Sequence, residues 1–367
     1  MTISVAVLGG GQLGRMLGLA AIPLGIEVRF LDPAPNPPAQ AVGPCVTAAL
    51  DDLAAIDAFI EGATVVTYEW EGVPAAIAEH IASRVPIAPG PMALARAQDR
   101  LAEKELFASL DIPTAPYRRV DSLDALHDAV RVLGTPALLK TRTGGYDGKG
   151  QARINDESEI ARAWDEIGQQ PAILEGWVPF AFECSIIAAR RATGEVQIYA
   201  IPENTHRNGI LRTSIVPAPK LAPELQTQGD DFIRRLLDAL DYVGVIALEC
   251  FVTSEGLVAN EFAPRVHNSG HWTIEGAQTS QFEQHVRAIC DLPLGSPALV
   301  GASAMLNCIG ALPDSAGVLA IPGAHLHTYG KAPRLGRKVG HVTVTAADFA
   351  ELERRVEILT ELLPSVG

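Results

Sequence analysis

Two glutamates twelve residues apart carry the first chemical suggestion in this chain. In "IALECFVTSEGLVANEF" two β-type runs flank the turn-forming "TSEG", the pattern of an antiparallel hairpin. With Ser254 paired to Gly256, Glu249 falls opposite Glu261 on one face, and cross-strand Cβ atoms lie about 4.5–5.5 Å apart. Carboxylates that close repel unless a cation lies between them. An oxygen-only pair suits Mg2+ held jointly with substrate phosphates. Strict alternation turns Asn260 to the opposite face, so it joins the site only through a local bulge. Two solvated surface glutamates are the plainer alternative.

A second group of residues is the stretch "LLKTRTGGYDGKGQ", Leu138 to Gln151, with four glycines and two lysines after an apolar run. Gly and Asp favour turns, so a hairpin tip is one reading. A phosphate cradle is the other, because glycine lets backbone N–H groups approach an anion closely. Lys140 at the strand end and Lys149 in the loop suit phosphate oxygens. At the N-terminus, "GGGQLG" fits G-x-G-x-x-G through Gly9, Gly11 and Gly14, and Asp32 follows at the end of the next strand. That is a dinucleotide fingerprint and raises a nicotinamide-dependent dehydrogenase as a hypothesis. A tight strand-to-helix turn in any α/β domain also uses such glycines.

Two further clusters are polar. "APRVHNSGHW" gathers Arg265, His267 and Asn268 within four positions and suits an anion. His267 and His271 have i, i+4 spacing, but Gly270 and Asn-Ser between them oppose a zinc-binding helix. "GKAPRLGRKVGH" packs Lys331, Arg334, Arg337 and Lys338 into eight residues of an acidic chain. A solvated basic turn and a second phosphate pocket are the two readings.

The elements that position these residues follow from periodicity. The first hundred residues alternate strand and helix ("SVAVLGG", "QLGRMLGLAAIPLG", "EVRFLD", "DDLAAIDAFIEG", "ATVVTYEW"), which implies a parallel, doubly wound sheet. A helix over about Pro91–Leu110 carries Arg100 and Lys104 on one face. "DIPTAPYRRV" breaks the chain. Ala115–Pro179 reads as a small α+β unit with strands "PALLK" and "ARI" around the glycine loop and a helix near Ser158–Gly168. The remainder reads as strand-rich, closed by a helix with Phe349, Leu352, Val356, Leu359 and Leu363 on one stripe.

Composition bounds the function. A chain of 367 residues implies two or three domains. Apolar residues at 48% and charged residues at 20% describe a globular, soluble chain. No signal peptide and no spanning segment are read, and a net charge of −14 argues against nucleic acid. The five scattered cysteines, with no Cys-x-x-Cys, read as reduced thiols rather than a zinc or disulfide framework.

In this order, "GQLGRML", "TGGYDGKGQ", "GILRTS", "NEFAPRVHNSGHWT" and "GRKVGH" resemble the 5-(carboxyamino)imidazole ribonucleotide synthetases, ATP-grasp ligases of purine biosynthesis. The likeness covers essentially the whole chain. It implies an ATP-grasp fold of mixed α/β and α+β type, with an N-terminal doubly wound domain over 1–95. A helix plus lid would span 96–180, and a sheet-rich C-terminal part 181–367. It also implies a homodimeric cytoplasmic enzyme using ATP, Mg2+, bicarbonate and 5-aminoimidazole ribonucleotide, by way of carboxyphosphate. Implied ATP contacts are Arg100, Lys140, the loop Gly145, Tyr146, Asp147, Gly148, Lys149, Gly150 and Gln151, then Glu175, Gly176, Trp177, Val178, Glu183, His206, Asn260 and Glu261. Glu249 and Glu261 would hold Mg2+. Tyr146 and Asp147 would approach the aminoimidazole, and Arg265, His267 and Asn268 the bicarbonate. Gln12, Leu13, Lys331 and Arg337 would meet the ribonucleotide phosphate, with Glu69 near the ribose. Asp147 and Lys331 join the bicarbonate group as implied catalytic residues. The lid would hinge near Pro113–Pro116 and Val178–Pro179. One departure is "YEWEG", where the family more commonly shows E-x-E-N, so Gly72 stands in place of Asn. Another ATP-grasp carboxylase, a formate-dependent ligase and a non-catalytic nucleotide-sensing module are the remaining alternatives.

Overall fold

The computed structural model describes residues 2–145 and 149–364. Within them the strands form three sheets. The first is parallel, in the order Cys45–Thr47, Glu27–Asp32, Ser4–Leu8, Val65–Tyr68. Val5, Ala6, Val7 and Leu8 are all buried, as a strand covered on both faces requires. Helix Gln12–Ala21 buries Leu13, Met16 and Leu17. These residues share one core with Phe282, Val286 and Ile289 of helix Gln281–Ile289, which fastens the N-terminal layer to the C-terminal one.

The second sheet is antiparallel, in the order Tyr117–Val120, Ala172–Gly176, Ala137–Thr141, Gln151–Ile154. Its core is closed by helices Leu123–Leu133 and Ile160–Glu166 through Leu126, Val130, Ile160 and Trp164. The third sheet has nine strands and holds the hairpin Gly244–Thr253/Gly256–Ala263 at one edge. Helix Phe349–Leu362 covers its far end, with Leu352 and Leu359 buried.

Four features differ from the sequence reading. The helix expected over 91–110 is two helices, Pro91–Gln98 and Arg100–Ser109, because Asp99 is extended and its carboxylate caps the second by accepting from Leu101 N at 2.9 Å. Phe107 then packs edge-on against Phe262 at 6.0 Å, placing this helix on the large sheet. The helix near Ser158–Gly168 begins as a 3-10 turn at Glu157–Glu159 and ends at Glu166. Helices Leu123–Leu133, Pro223–Ala239 and Gln281–Ile289 lie beyond the expected elements. Finally, the hairpin turn is one residue longer than the pairing of Ser254 with Gly256 gives, since Thr253 faces Gly256 and leaves Ser254 and Glu255 between them. A register shift between Glu249 and Cys250 then restores Glu249 opposite Glu261, leaving Asn260 as the extra, bulged residue.

Among the described residues no helix is long and apolar enough to cross a membrane. The cysteines are unpaired, with Cys184, Cys250 and Cys308 buried.

Candidate active site

The glycine turn at the N-terminus is filled by a side chain from the same domain. Glu69, just past the strand Val65–Tyr68, accepts from the backbone N–H of Gly11 and, at 2.6 Å, from that of Gly14. A Cβ at Gly9 would meet Glu69 Cγ at 2.6 Å, and one at Gly11 would overlap its carboxylate. The glycines therefore admit a carboxylate to the helix N-terminus, the position a dinucleotide pyrophosphate would need. Asp32 likewise accepts from Gly10 N and Ala34 N at 2.7 Å each, as a turn-former. The dehydrogenase hypothesis thus loses its phosphate seat.

Beside this turn, Lys331 donates to Gln12 Oε1. Burial lowers the Lys331 ammonium, Glu69 opposes that, and Arg337 and Lys338 add to the lowering. Lys331 is therefore the member of the basic cluster that meets the start of helix Gln12–Ala21. Leu13 turns its side chain into the core.

The second cluster lies where the four-stranded antiparallel sheet meets the hairpin. Lys140 donates to Glu175 Oε2 at 2.7 Å and to Asn260 Oδ1 at 3.3 Å. Lys104 donates to Asn260 O at 2.7 Å and sits 3.2 Å from Glu175 Oε1, an ion-pair contact outside hydrogen-bond geometry. Burial by itself would raise the Glu175 carboxyl, yet Lys140 and Lys104 hold it down to about 2. The bulge is what turns the Asn260 amide toward Lys140. Arg100 donates to Glu261 Oε2 at 2.6 Å and reaches Gly145 O at 3.4 Å. Glu103, next to it, accepts from Phe262 N at 2.7 Å, and burial followed by the Glu261 charge pushes its carboxyl up. Lys104 and Glu103 were not assigned a role from sequence; the four-residue spacing of Arg100 and Lys104 was the usable signal.

The loop rim is held by Thr141 N donating to Gly150 O at 2.8 Å and by Gln151 pairing with Lys140. Tyr146, Asp147 and Gly148 lie outside the described residues. The connection Pro113–Pro116 is bonded on both sides: Ala259 N donates to Pro113 O at 2.7 Å and Gly176 N to Pro116 O at 2.8 Å. Trp177 is half exposed and stacks under the Arg153 guanidinium at 4.4 Å. Val178, half-buried, follows it. On the large sheet, Glu183 and His206 meet at 2.7 Å; burial acts to lower the imidazole, but Glu183 and Glu249 raise it.

The third cluster joins the other two. His267 Nε2 lies 2.9 Å from Glu249 Oε1. Arg265 donates to Glu71 and also feels the charges of Glu69 and Glu249. Burial would raise Glu71, but Arg265 holds it low. Asn268 and Asn307 exchange amide hydrogen bonds at 3.0 and 2.7 Å. The Gly72 departure has a local cause: the Trp70 ring folds back over it, and any Cβ there would overlap that ring. The neighbouring Glu71 instead supplies the partner of Arg265.

The donors in this arrangement fit a hard divalent cation. Glu249 and Glu261 are direct cross-strand neighbours, and the bulged Asn260 adds an amide oxygen. Among the described residues no group of three or more His, Cys, Asp or Glu side chains could hold a metal ion. A cation here would draw the rest of its shell from water or phosphate oxygens.

Comparison with known proteins identifies the family. Three family models match in succession: the Ribonucleotide synthetase preATP-grasp domain over residues 1–98, the ATP-grasp domain over 105–282 and the Phosphoribosylaminoimidazole carboxylase C-terminal domain over 303–355. The chain is 47% identical to an N5-carboxyaminoimidazole ribonucleotide synthase from Pseudomonas aeruginosa, covering 98% of this chain and 99% of that one. A crystal structure of the synthetase from Thermus thermophilus superposes with a TM-score of 0.95 at 50% identity, covering 98% and 99% of the two chains. The chain belongs to the N5-carboxyaminoimidazole ribonucleotide synthase family. Its fold is the ATP-grasp fold, with the antiparallel four-stranded sheet and the large sheet on either side of the Lys140–Glu175–Asn260 cluster. An Aspergillus clavatus member of the synthase family has been solved with ADP and 5-aminoimidazole ribonucleotide. It superposes with a TM-score of 0.92 at 34% identity, over 98% of each chain.

Proposed function

We propose that the chain uses ATP and bicarbonate to carboxylate 5-aminoimidazole ribonucleotide on nitrogen, releasing ADP and phosphate. Arg265 carries the reading. It is ion-paired with Glu71, close to Glu69 of the ribonucleotide side and close to Glu249 of the carboxylate pair. A small anion beside it would lie between the two substrate regions.

In this proposal a bicarbonate oxygen attacks the γ-phosphorus as the bond to the ADP oxygen breaks, giving carboxyphosphate. The exocyclic amine then attacks the carboxyl carbon, phosphate leaves and the amine loses a proton. Arg265, His267 and Asn268 hold the bicarbonate, and positioning with charge neutralisation accounts for most of the acceleration. Lys140, Arg100, Glu175 to Val178, Glu183, His206, Asn260 and the loop Gly145–Gln151 hold ATP. Glu249 and Glu261 hold Mg2+, which when bound neutralises phosphate charge. Gln12, Lys331 and Arg337 hold the ribonucleotide phosphate; Tyr146 and Asp147 are assigned to its base. We divide the chain at 1–95, 96–180 and 181–367, the middle part closing over the reactants so that water is excluded before carboxyphosphate forms. A cytoplasmic homodimer completes the proposal, and light scattering reads the second half of it.

The test is phosphate release from ATP with bicarbonate and the ribonucleotide supplied together or singly, alongside incorporation of labelled bicarbonate. Turnover requiring both, with label entering the nucleotide, is the expected result. Turnover supported by formate in place of bicarbonate, or no incorporation of label, overturns the reading.

A further inference from the structure

Behind His267 lies a line of buried hydroxyl and amide groups that none of the substrate assignments uses. Ser185, Ser214 and Ser269 are fully buried and Asn204 is nearly so. They come from three strands and the turn after the hairpin: Ser214 from Ile210–Val216, Asn204 from Glu203–Arg207, Ser185 from Phe182–Arg190 and Ser269 from Asn268–Gly270. Ser185 is the direct cross-strand neighbour of Glu249, and Asn204 that of Ser214. The separations are 2.7 Å from Ser214 Oγ to Asn204 Oδ1, 3.0 Å from Asn204 Nδ2 to Ser185 Oγ, and 2.7 Å from Ser185 Oγ to Ser269 Oγ. The last link is 2.8 Å, from Ser269 Oγ to His267 Nδ1.

Hydroxyls donate or accept as their partners demand, so one fixed group sets the polarity of the whole line. That group is the Ser269 backbone N–H, which donates to His267 Nδ1 at 3.3 Å. A backbone amide cannot reverse, so Nδ1 presents a lone pair. The Ser269 hydroxyl must then donate to Nδ1 as well. It therefore accepts from Ser185, Ser185 accepts from the Asn204 amide, and the Asn204 carbonyl accepts from Ser214. The far side of the ring agrees: Nε2 is 2.9 Å from Glu249 Oε1, a contact that two facing lone pairs would make repulsive.

We infer that Ser214, Asn204, Ser185 and Ser269 form a positioning relay that locks His267 as the Nε2–H tautomer. The one N–H of the imidazole is thereby directed at Glu249 Oε1, and Nε2 has no lone pair with which to take a proton from bicarbonate or from the amine. The placement of His267 at bicarbonate rests on the function proposed above, whereas the tautomer does not. Each relay residue acts through its neighbour and touches no reactant.

The experiment is nitrogen-15 NMR of the histidine-labelled full-length protein in mildly alkaline buffer, with the His267 signals assigned by their loss in His267→Gln. A proton-bearing Nε2 and a lone-pair Nδ1 in the resting protein are expected. A proton on Nδ1, or averaging between the two nitrogens, overturns the relay. In Ser269→Ala the two nitrogen signals should move toward averaging, and kcat should fall by roughly tenfold, the size of one net hydrogen bond, with the KM for ATP unchanged. Ser185→Ala, which leaves Ser269 in place, gives the same reading should Ser269→Ala not fold. A fall in kcat with an unchanged spectrum in these variants would mean a purely structural role and also overturns the relay. The expected spectrum in a protein without bicarbonate-dependent turnover would remove the proposed function and leave the relay standing.

Discussion

Glu175→Gln tests whether the seam between lid and hairpin is held by charge. Glu175 is 4% exposed and stands between Lys140 at 6% and Lys104 at 1%. Its carboxyl falls from 4.5 to about 2, and at 1.36 kcal/mol per unit this corresponds to something on the order of 3 kcal/mol. Removing one partner of a buried ion pair costs about 3–5 kcal/mol by a separate route, so the two agree. In the variant both ammonium groups remain buried and lose their shared carboxylate, keeping the Asn260 oxygens as hydrogen-bond partners. At about 2–4 °C per kcal/mol, neutral-pH thermal melting should shift down by roughly 6–12 °C. The sign with pH follows from the lowered carboxyl. Its contribution is complete above about 4.5, where the unfolded chain is also ionised, and is lost as pH falls toward 2. The difference in melting temperature between wild type and Glu175→Gln should therefore narrow across that interval. Adding Lys104→Met to the variant should recover part of the loss, because it removes the surplus buried charge. Melting of Glu175→Gln within about 1 °C of wild type at neutral pH, with no narrowing in acid, would refute the reasoning.

Three other outcomes are expected. Glu249→Gln and Glu261→Gln should each raise the Mg2+ concentration needed for ATP turnover by at least about tenfold, the effect of one weakened charged contact, with circular dichroism unchanged; near-normal turnover at limiting Mg2+ would count against the cation site. Amide hydrogen exchange across Thr143–Gln151 should slow when Mg–ATP is added, since lids sit at the low-stability end of a fold until a ligand orders them, and unchanged exchange at saturating nucleotide would speak against closure. Arg337→Ala should raise the KM for the ribonucleotide by about 10- to 150-fold, the equivalent of one charged hydrogen bond, and barely move the KM for ATP; the opposite pattern in steady-state kinetics would assign the basic cluster to the nucleotide instead.

Where residues act on near neighbours in the chain, their roles were legible without coordinates. The alternation of strands and helices over the first hundred residues led to the parallel sheet, because burial on both faces writes continuous apolar runs. The hairpin followed from two β-type runs about one turn, and with it the approach of Glu249 to Glu261. Amphipathic spacing marked the closing helix, yet the same signal passed unused in Pro223–Ala239, where polar residues outnumber the five buried positions, Gly229, Phe232, Ile233, Leu236 and Leu237.

Tertiary structure decided what fills each place. The G-x-G-x-x-G turn specifies only that something must approach the backbone closely; that it is Glu69, fifty-five residues from Gly14, depends on the pairing of Ser4–Leu8 with Val65–Tyr68. The one-residue bulge that brings Asn260 to Lys140 leaves no mark on hydrophobic alternation, since it is a backbone event, a register shift beside Glu249 that sets it opposite Glu261. Lys104, Glu71 and the serines behind His267 are ordinary polar residues by sequence. They become site residues because sheet neighbours are set by strand order, and strands far apart in the chain stand less than 6 Å apart in the fold, about 4.7–4.9 Å by sheet geometry.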